Sequence, residues 1–362
     1  MKSTEPTFVD LFSGAGGLSL GLQNAGWKGV AAFDNWSDAV CTYNESRMFD
    51  HRAHCMSVAE LTGQTLRQLI SDTPDWIVGG PPCQGYSTVG KRDRNDPKNR
   101  LFEEFARIVK RVQPQGFIIE NVLGMRDMSF IDEVRNAFKQ NYCVTAHVLT
   151  AAEHGVPQLR RRVIFVGHRE STFQGWTSGS GDVSADPDLL SRDEFVTVEQ
   201  AIFDLPEVGP GETKTEYDRD PSSDFQKAMR GGHNHLQGHT VSKHPSRLVR
   251  AISHISDGGN RTEIPRELQP SSGFHNTYSR LNSKEPAVAV TSNLGKPSGS
   301  RCIHPKQHRG LTAREGARLQ TFPDRFYFRG GIVSQRLQIA NAVPPLLATS
   351  LARALSDERR WT

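Results

Sequence analysis

The amino-terminal half of the chain alternates short apolar runs with amphipathic ones, and this alternation limits the folds that it can adopt. Apolar runs of strand length lie at residues 7–12, 29–33, 75–78, 117–119, 144–149 and 162–166. Residues 18–25, 101–112 and 131–138 carry apolar side chains at helical spacing. Because strands alternate with helices, the sequence predicts an α/β fold with a doubly wound, mostly parallel sheet.

The turn from Phe12 to Gly17, FSGAGG, joins the first strand to a helix. Its glycines allow a ligand to approach the backbone, and free amide groups at a helix N-terminus favour a carboxylate or phosphate. Asp34 ends the second strand, where an acid can accept two ribose hydroxyls. This layout serves dinucleotides and S-adenosylmethionine alike, but the G-x-G-G spacing differs from the dinucleotide fingerprint. The turn and the acid therefore predict a cofactor that contains adenosine.

Cys83 follows another strand in the segment GGPPCQGYS, residues 79–87. Two glycines let the backbone turn sharply and two prolines stiffen it, so the thiol is held at the carboxyl end of the strand. A thiol held in this way is a candidate nucleophile, and the alternative is a buried structural cysteine. Glu120, in Glu-Asn-Val after a further strand, is a candidate general acid, and the alternative is a helix-capping residue.

Gln158, Arg160 and Arg162 alternate along a segment that leads into a strand. Alternate side chains of a strand share a face, so we expect these three to point together. Arginines at a sheet edge can bind a substrate oxygen or orient a carboxylate, and the alternative is a basic surface cluster.

Charge and cysteine content limit the classes of partner and site. The net charge of +4 is a weak argument for nucleic acid, but residues 227–261 hold six Lys or Arg and one acid, Asp257. The five cysteines form no C-x-x-C pair, which indicates reduced thiols. His51, His54 and Cys55 match no common zinc pattern, so we interpret them as a surface turn and expect no metal. No signal peptide or membrane-spanning run is predicted.

Taken in order, these motifs resemble those of the C5-cytosine-specific DNA methyltransferase family, of the bacterial type with unpermuted motif order. The similar segments are DLFSGAGG at 10–17, PPCQ at 81–84, ENV at 120–122, Q-x-R-x-R at 158–162, LTAREGARLQTFPD at 311–324 and QIANAVP at 338–344. The resemblance spans nearly the whole chain. It implies a sheet of the S-adenosylmethionine-dependent methyltransferase type with a smaller, irregular target-recognition domain.

The resemblance implies that Cys83 adds to C6 of a flipped-out cytosine, so that C5 can take a methyl group from S-adenosylmethionine, which leaves S-adenosylhomocysteine. Glu120 binds and protonates the ring, while Arg160 and Arg162 hold the base O2 and orient Glu120; Gln158 completes the catalytic set. The implied cofactor residues are Phe12, Gly14, Gly16, Gly17, Asp34, Val58, Pro82, Leu101 and Asn341. The chain departs from the family pattern at Asn35, Ser57 and Ala340, which puts the affinity for the cofactor in doubt.

We predict a catalytic and cofactor-binding domain at residues 1–190, a target-recognition domain at 191–326 and a returning carboxyl-terminal segment at 327–362. The expected partner is double-stranded DNA. The enzyme is either the modifying part of a restriction-modification system, with a cognate restriction endonuclease acting on the same site, or a solitary methylase. We expect a monomeric enzyme in the cytoplasm, associated with the nucleoid, or in the nucleus of a eukaryote. Alternatives are a tRNA cytosine-5 methyltransferase of the same fold and a non-catalytic DNA-binding relative. The expected DNA contacts are Gln84, Ser87, Lys91, Arg247 and Arg250.

Overall fold

The computed structural model describes residues 5–70, 72–82, 100–123, 128–174, 195–270, 277–299 and 302–362. Four residues of the predicted site, Cys83, Gln84, Ser87 and Lys91, lie outside these ranges.

The chain divides into two compact units. The sheet unit comprises Met1–Thr150, Arg161–Leu190 and Pro345–Thr362, and the irregular unit comprises Ala151–Arg160 and Ser191–Pro344. These limits differ from the predicted domains at residues 151–160 and 327–344, which both belong to the irregular unit. The reason is local pairing, because Gln158 pairs with Ala287 and the Gln320 side chain donates to the Ile339 carbonyl. The functional roles of the two units remain predictions.

Both units contain strands. In the described part of the chain they are β1 (Thr7–Leu11), β2 (Lys28–Asp34), β3 (Ala53–Cys55), β4 (Trp76–Gly79), β5 (Gly116–Val122), β6 (Cys143–Thr150), β7 (Gln158–Leu159), β8 (Arg161–His168) and β9 (Ala287–Val288). Seven of these described strands form one sheet in the order β3-β2-β1-β4-β5-β8-β6, while β7 pairs with β9 in the irregular unit. The first five strands in this order are parallel, and β8 runs antiparallel to both neighbours. The predicted α/β fold with a mostly parallel sheet is confirmed.

Helices connect the strands. The described ones are α1 (Gly17–Asn24), α2 (Ser37–Glu45), α3 (Gly63–Leu69), α4 (Arg100–Val112), α5 (Met128–Phe138), α6 (Val198–Ile202), α7 (Asp224–Arg230), α8 (Ser246–Ile252), α9 (Ala313–Leu319), α10 (Ile332–Asn341) and α11 (Pro345–Leu355). The amphipathic pattern predicted for α4 is confirmed, because Phe105, Ile108 and Val109 are fully buried in the core that also contains Val9 and Ile77. No helix in these ranges is long and apolar enough to cross a membrane.

Buried ion pairs tie the irregular unit together. Arg318 donates to Asp324 over 2.6 Å and lies 3.1 Å from Asp204, and all three side chains are fully buried. Arg309 reaches Glu315 over 2.6 Å, and Glu315 forms a capping box with Thr312 at the start of α9, as the Thr-x-x-Glu spacing of the sequence predicts. Such pairs are stable in low dielectric only when their remaining donors and acceptors are also satisfied. The irregular unit has few long helices and strands, and these ion pairs provide specific links between its segments.

The interpretation of residues 51–55 as a surface turn is wrong. The side chain of His51 is buried and its ring nitrogen lies 2.6 Å from the Tyr43 hydroxyl, while His54 and Cys55 belong to β3. Although its sequence is polar, this segment contains β3, the strand at the edge of the sheet. Among the described residues, no group of three His, Cys, Asp or Glu side chains could hold a metal ion.

Candidate active site

Backbone hydrogen bonds hold the turn between β1 and α1 against the end of β2. The Ser13 N–H donates to the Phe33 carbonyl over 3.1 Å, and the Gly14 N–H donates to the Asp34 carboxylate over 2.8 Å. Gly14 and Gly16 have φ values of 52° and 93°, a left-handed region that favours glycine. The glycines predicted to shape this turn therefore do so.

Gly16 and Gly14 face different surroundings. A Cβ atom on Gly16 would lie 2.6 Å from the Phe49 ring and 2.7 Å from the Tyr43 ring, well inside van der Waals contact. A Cβ atom on Gly14 would have no described heavy atom within 4 Å. The turn is thus packed from below at Gly16 and open at Gly14.

Asp34 ends β2 with its carboxylate fixed by two backbone donors. Its Oδ1 accepts from the Trp36 N–H and its Oδ2 from the Gly14 N–H, both over 2.8 Å. Burial raises the pKa of this carboxyl, and the two backbone donors oppose that rise. Each oxygen keeps a lone pair that can accept a hydroxyl, which suits the ribose that we predicted for this position.

The surroundings of this turn fit a cofactor that contains adenosine. The Ser13 hydroxyl is buried and has no hydrogen-bond partner within the described ranges, and a buried polar atom of this kind indicates a ligand or water. Phe12 has φ 60° and packs against the core while remaining partly exposed. The turn therefore brings together an orphaned hydroxyl, a partly exposed aromatic ring and the fixed Asp34 carboxylate.

The other predicted cofactor residues are more scattered. Gly17 begins α1, Leu101 is half buried in α4 and Pro82 is exposed after β4. Val58 is buried at the start of a short 3₁₀ helix, Val58–Glu60, and its carbonyl accepts from Arg107 over 2.9 Å. Asn341 is exposed at the end of α10 in the irregular unit. At Ser57, the hydroxyl accepts the Ala59 N–H over 3.3 Å and so caps that 3₁₀ helix.

Glu120 and Arg162 form an ion pair at the carboxyl end of β5. Arg162 Nε lies 2.8 Å from Glu120 Oε1, and the two side chains are 14% and 11% exposed. The sheet register explains this contact, because Glu120 lies opposite Ile164 and the antiparallel β8 brings Arg162 to the diagonal position on the same face. The structure therefore brings together the predicted acid and one of the predicted arginines.

The turn that precedes Cys83 packs directly on β5. A Cβ atom on Gly80 would lie 3.2 Å from Glu120 Oε2, so the missing side chain lets this carboxylate lie over the turn. Asn121 Nδ2 donates to the Pro81 carbonyl over 2.7 Å, and Asn121 Oδ1 accepts the Val122 N–H over 2.9 Å. Sequence reasoning did not predict this link between Asn121 and the turn, although the place of Asn121 directly after Glu120 was a signal.

The expectation that Gln158, Arg160 and Arg162 share one strand face is wrong. Gln158 lies in β7 and Arg162 in β8, and Arg160 lies between these strands, which belong to different sheets. Gln158 donates to the Leu319 carbonyl over 3.0 Å and accepts the Val290 N–H over 2.8 Å. Arg160 donates to the Val290 and Ala340 carbonyls over 3.3 and 2.9 Å. These long-range partners draw the first two side chains into the irregular unit.

Two predicted DNA contacts lie in the described part of the irregular unit. Arg247 and Arg250 are exposed on α8, and Arg247 donates to the Glu267 carbonyl over 2.8 Å. Their exposure is compatible with phosphate binding, which stays a prediction.

Comparison with protein families gives one match that covers nearly the whole chain. The model described as C-5 cytosine-specific DNA methylase matches residues 6–357. The type II methyltransferase M1.HphI of Haemophilus parahaemolyticus is 35% identical over 358 residues, which cover 96% of this chain and 86% of that relative. The type II methyltransferase M.DdeI of Desulfomicrobium norvegicum is 34% identical over 373 residues, with 96% and 88% covered.

Solved structures give the same fold. The crystal structure of a candidate DNA modification methyltransferase encoded within an E. coli prophage has a TM-score of 0.75 at 25% identity and covers 97% of this chain and 98% of its own. A variant of Spodoptera frugiperda DNMT2 has a TM-score of 0.64 at 17% identity, with 98% and 100% covered, and shows the fold alone. The methyltransferase type of sheet is thus confirmed.

Proposed function

The chain belongs to the C-5 cytosine-specific DNA methylase family, and on this premise we propose that it methylates C5 of a flipped-out cytosine through covalent addition of Cys83 to C6. It is a DNA cytosine-5-methyltransferase whose relatives include type II methyltransferases. These relatives do not favour the tRNA methyltransferase or the non-catalytic DNA-binding protein as alternatives. The roles of individual residues, the cofactor and the partners are inferred below.

Cytosine C5 is a weak nucleophile, so the enzyme must first raise its electron density. Addition of the Cys83 thiolate forms an S–C6 bond and moves the C5–C6 double-bond electrons toward C5. Glu120 binds the N3 and exocyclic amine edge of the base and donates a proton as charge develops there. C5 then forms a bond to the methyl group, which would leave the sulfur of S-adenosylmethionine. Removal of the C5 proton by a base finally restores the double bond and expels Cys83.

Residues of the sheet unit hold the cofactor in this proposal. S-adenosylmethionine, when bound, supplies the methyl group, activated as a sulfonium. Asp34 accepts the ribose hydroxyls, Phe12 lies against the cofactor, and the Ser13 hydroxyl and the open Gly14 backbone face its polar groups. Because the sulfonium already activates the methyl group, its transfer needs no metal.

The observation that carries the proposal is the position of Glu120 over the turn that leads to Cys83. One oxygen, Oε1, is held by Arg162 at 2.8 Å, and the other, Oε2, faces Gly80. An arginine that fixes one carboxylate oxygen leaves the other in a defined direction for a substrate. We assign Arg162 to orienting Glu120, and we assign Gln158 and Arg160 to fixing the backbone at Val290 and Ala340. Contact between Arg160 and the base O2 stays a prediction.

We further infer that the substrate is double-stranded DNA, bound by a monomer with the irregular unit as target-recognition domain. A base inside a duplex is out of reach, so the cytosine must leave the stack at a cost of roughly a few kcal/mol. Exposed Arg247 and Arg250, with Gln84, Ser87 and Lys91 from the loop after Cys83, are the proposed DNA contacts. The type II names of the relatives support a cognate endonuclease, and this role places the enzyme at the nucleoid in a bacterial cytoplasm.

Expression in a host that lacks cytosine methylation, followed by bisulfite sequencing, tests this proposal. We expect 5-methylcytosine at one short duplex sequence, and none with Cys83→Ala. The matched control is Cys143→Ala, which removes an exposed thiol from β6 and should leave methylation unchanged. DNA with 5-fluorocytosine at the target should trap a covalent adduct, because no C5 proton can leave. Full activity of Cys83→Ala would overturn the mechanism.

A further inference from the structure

Asp10 is a buried acid for which the proposed mechanism has no use. It lies on β1, directly before the turn that holds the cofactor, and it is 1% exposed. Its neighbours in register, Ala32 on β2 and Val78 on β4, are apolar. A carboxyl group in such surroundings is costly to ionise, so its presence calls for a specific partner.

That partner is the first turn of α1. The residue before the helix, Gly16, has no side chain and therefore cannot accept an N–H of the first turn, as an ordinary capping residue does. Asp10 instead holds the first turn through a side chain, because its carboxylate accepts the Ser19 hydroxyl over 2.6 Å. Asp10 thus ties the first turn of α1 to β1, while Gly16 leaves room for the aromatic rings below it.

A second buried hydrogen bond involves the aromatic ring that packs on Gly16. The Tyr43 hydroxyl lies 2.6 Å from His51 Nε2. His51 Nδ1 has no hydrogen-bond partner among the residues described, so we place the proton of the neutral ring on Nε2. His51 then donates to Tyr43, while Ser19 donates to the Asp10 carboxylate. We call these four side chains the Asp10 chain.

The Asp10 chain supports the cofactor turn at two points. The Tyr43 ring would lie 2.7 Å from a Cβ on Gly16, so it packs on the glycine that ends the turn. Asp10 holds Ser19 in the first turn of α1, the helix that follows the turn directly. The four side chains therefore support the turn and the start of the helix from beneath.

We propose that the Asp10 chain positions the Phe12–Gly17 turn for the cofactor, and that protonation of Asp10 weakens cofactor binding by weakening its hydrogen bond to Ser19 in the first turn of α1. This inference rests on the proposed S-adenosylmethionine site. Asp10 is a positioning residue, since it is buried beneath the turn. A charged carboxylate is a stronger acceptor at a helix N-terminus than a neutral one, so the turn is held best when Asp10 is ionised.

The groups that face Asp10 place its titration near neutral pH. Burial raises its pKa to about 7, with Asp34 adding to the rise and Ser19 opposing it. Burial lowers the pKa of His51 to about 4, with Asp50 opposing, so the ring stays neutral in this range. Burial holds the pKa of Tyr43 well above its usual range, so its hydroxyl stays protonated.

The test measures binding of S-adenosylhomocysteine by calorimetry between pH 6 and pH 8. Asp10→Asn mimics the protonated acid, and we expect the ratio of wild-type to variant affinity to grow by about fivefold from pH 6 to pH 8. The ratio cancels titration of the ligand itself. Tyr43→Phe keeps the ring on Gly16 and removes only the hydroxyl, so it should lower affinity at both pH values. The matched control is Asp75→Asn, since Asp75 accepts the Thr7 N–H and hydroxyl over 2.8 Å at the other end of β1.

An Asp10→Asn variant that keeps the wild-type pH profile, or an Asp75→Asn variant that shifts equally, would overturn the inference alone. A wild-type protein that binds no S-adenosylhomocysteine at any pH would overturn the proposed cofactor site and this inference with it. A Tyr43→Phe variant with wild-type affinity would overturn the part of the inference that concerns Tyr43 and His51.

Discussion

Replacing Asn121 by alanine should slow the chemical step far more than it weakens substrate binding. The Asn121 amide makes two backbone hydrogen bonds, to the Pro81 carbonyl over 2.7 Å and from the Val122 N–H over 2.9 Å. The first of these fixes the turn that leads to Cys83, and it is buried. Asn121→Ala leaves the catalytic groups in place but removes the link that sets where the thiol stands relative to Glu120.

The size of the effect follows from these two bonds. Leaving a buried carbonyl without its hydrogen-bond donor costs about 1–3 kcal/mol of free energy, and the alanine side chain offers no replacement donor. If the turn is freer to move and this loss raises the activation free energy, each 1.4 kcal/mol or so of the increase lowers the rate about tenfold. We therefore expect single-turnover methylation to fall by about 10- to 100-fold, because a nucleophile displaced by a fraction of an ångström loses its attack geometry.

The assay is single-turnover methyl transfer at saturating cofactor and DNA, together with denaturant unfolding of each variant. Asn44→Ala is the matched control, because Asn44 also bridges two backbone groups, the Ala53 carbonyl and N–H, both over 2.9 Å. Both variants should lose a similar free energy of unfolding, about 1–3 kcal/mol. Only Asn121→Ala should lose the chemical rate. Equal rate losses in the two variants, or a wild-type rate in Asn121→Ala, would refute the reasoning.

Two further predictions concern the acids of the sheet unit. Glu120→Gln should lower the rate of methyl transfer by about 10²- to 10⁴-fold, since it removes a proton donor held by Arg162. Rapid-quench kinetics measure this rate, and an unchanged rate would leave Glu120 with a structural role only. Asp10 has a folded pKa of about 7 against an unfolded value of 3.8, so the folded state binds its proton more tightly and the free energy of unfolding falls as pH rises between these values. The full loss is about 4 kcal/mol by pH 8, and urea titrations should show it in the wild type but not in Asp10→Asn; parallel pH curves would contradict this.

The local pattern of the sequence was enough to predict much of the sheet unit. Glu120 and Asp34 were predicted at carboxyl strand ends because a short apolar run followed by a polar residue marks such an end within a few residues. The α4 helix was equally predictable from the 3.6-residue spacing of Phe105, Ile108 and Val109. The capping box of α9 was visible in Thr312 and Glu315 alone.

Other features depend on partners far away in the chain. Alternation predicted that Gln158 and Arg162 share a face, but β7 pairs with β9 and β8 with β5, which residue spacing cannot specify. His51 looked like part of a polar turn until its hydrogen bond with Tyr43 and its burial beside the sheet were known. In each case the deciding neighbour lies outside the local window in which sequence patterns operate.

The sequence by itself determined the fold class, the family and the identity of the groups that can react, because these depend on residue type and local spacing. Only the tertiary structure decided how those groups are held. Arg162 orients Glu120 because an antiparallel strand enters the sheet beside β5, and Asn121 fixes the Pro81 turn across 40 residues. Asp10 gains a role only because Gly16 lacks a side chain and the first turn of α1 brings the Ser19 hydroxyl to β1. The reactive groups follow from the type of each residue, whereas their geometry depends on long-range pairing and burial.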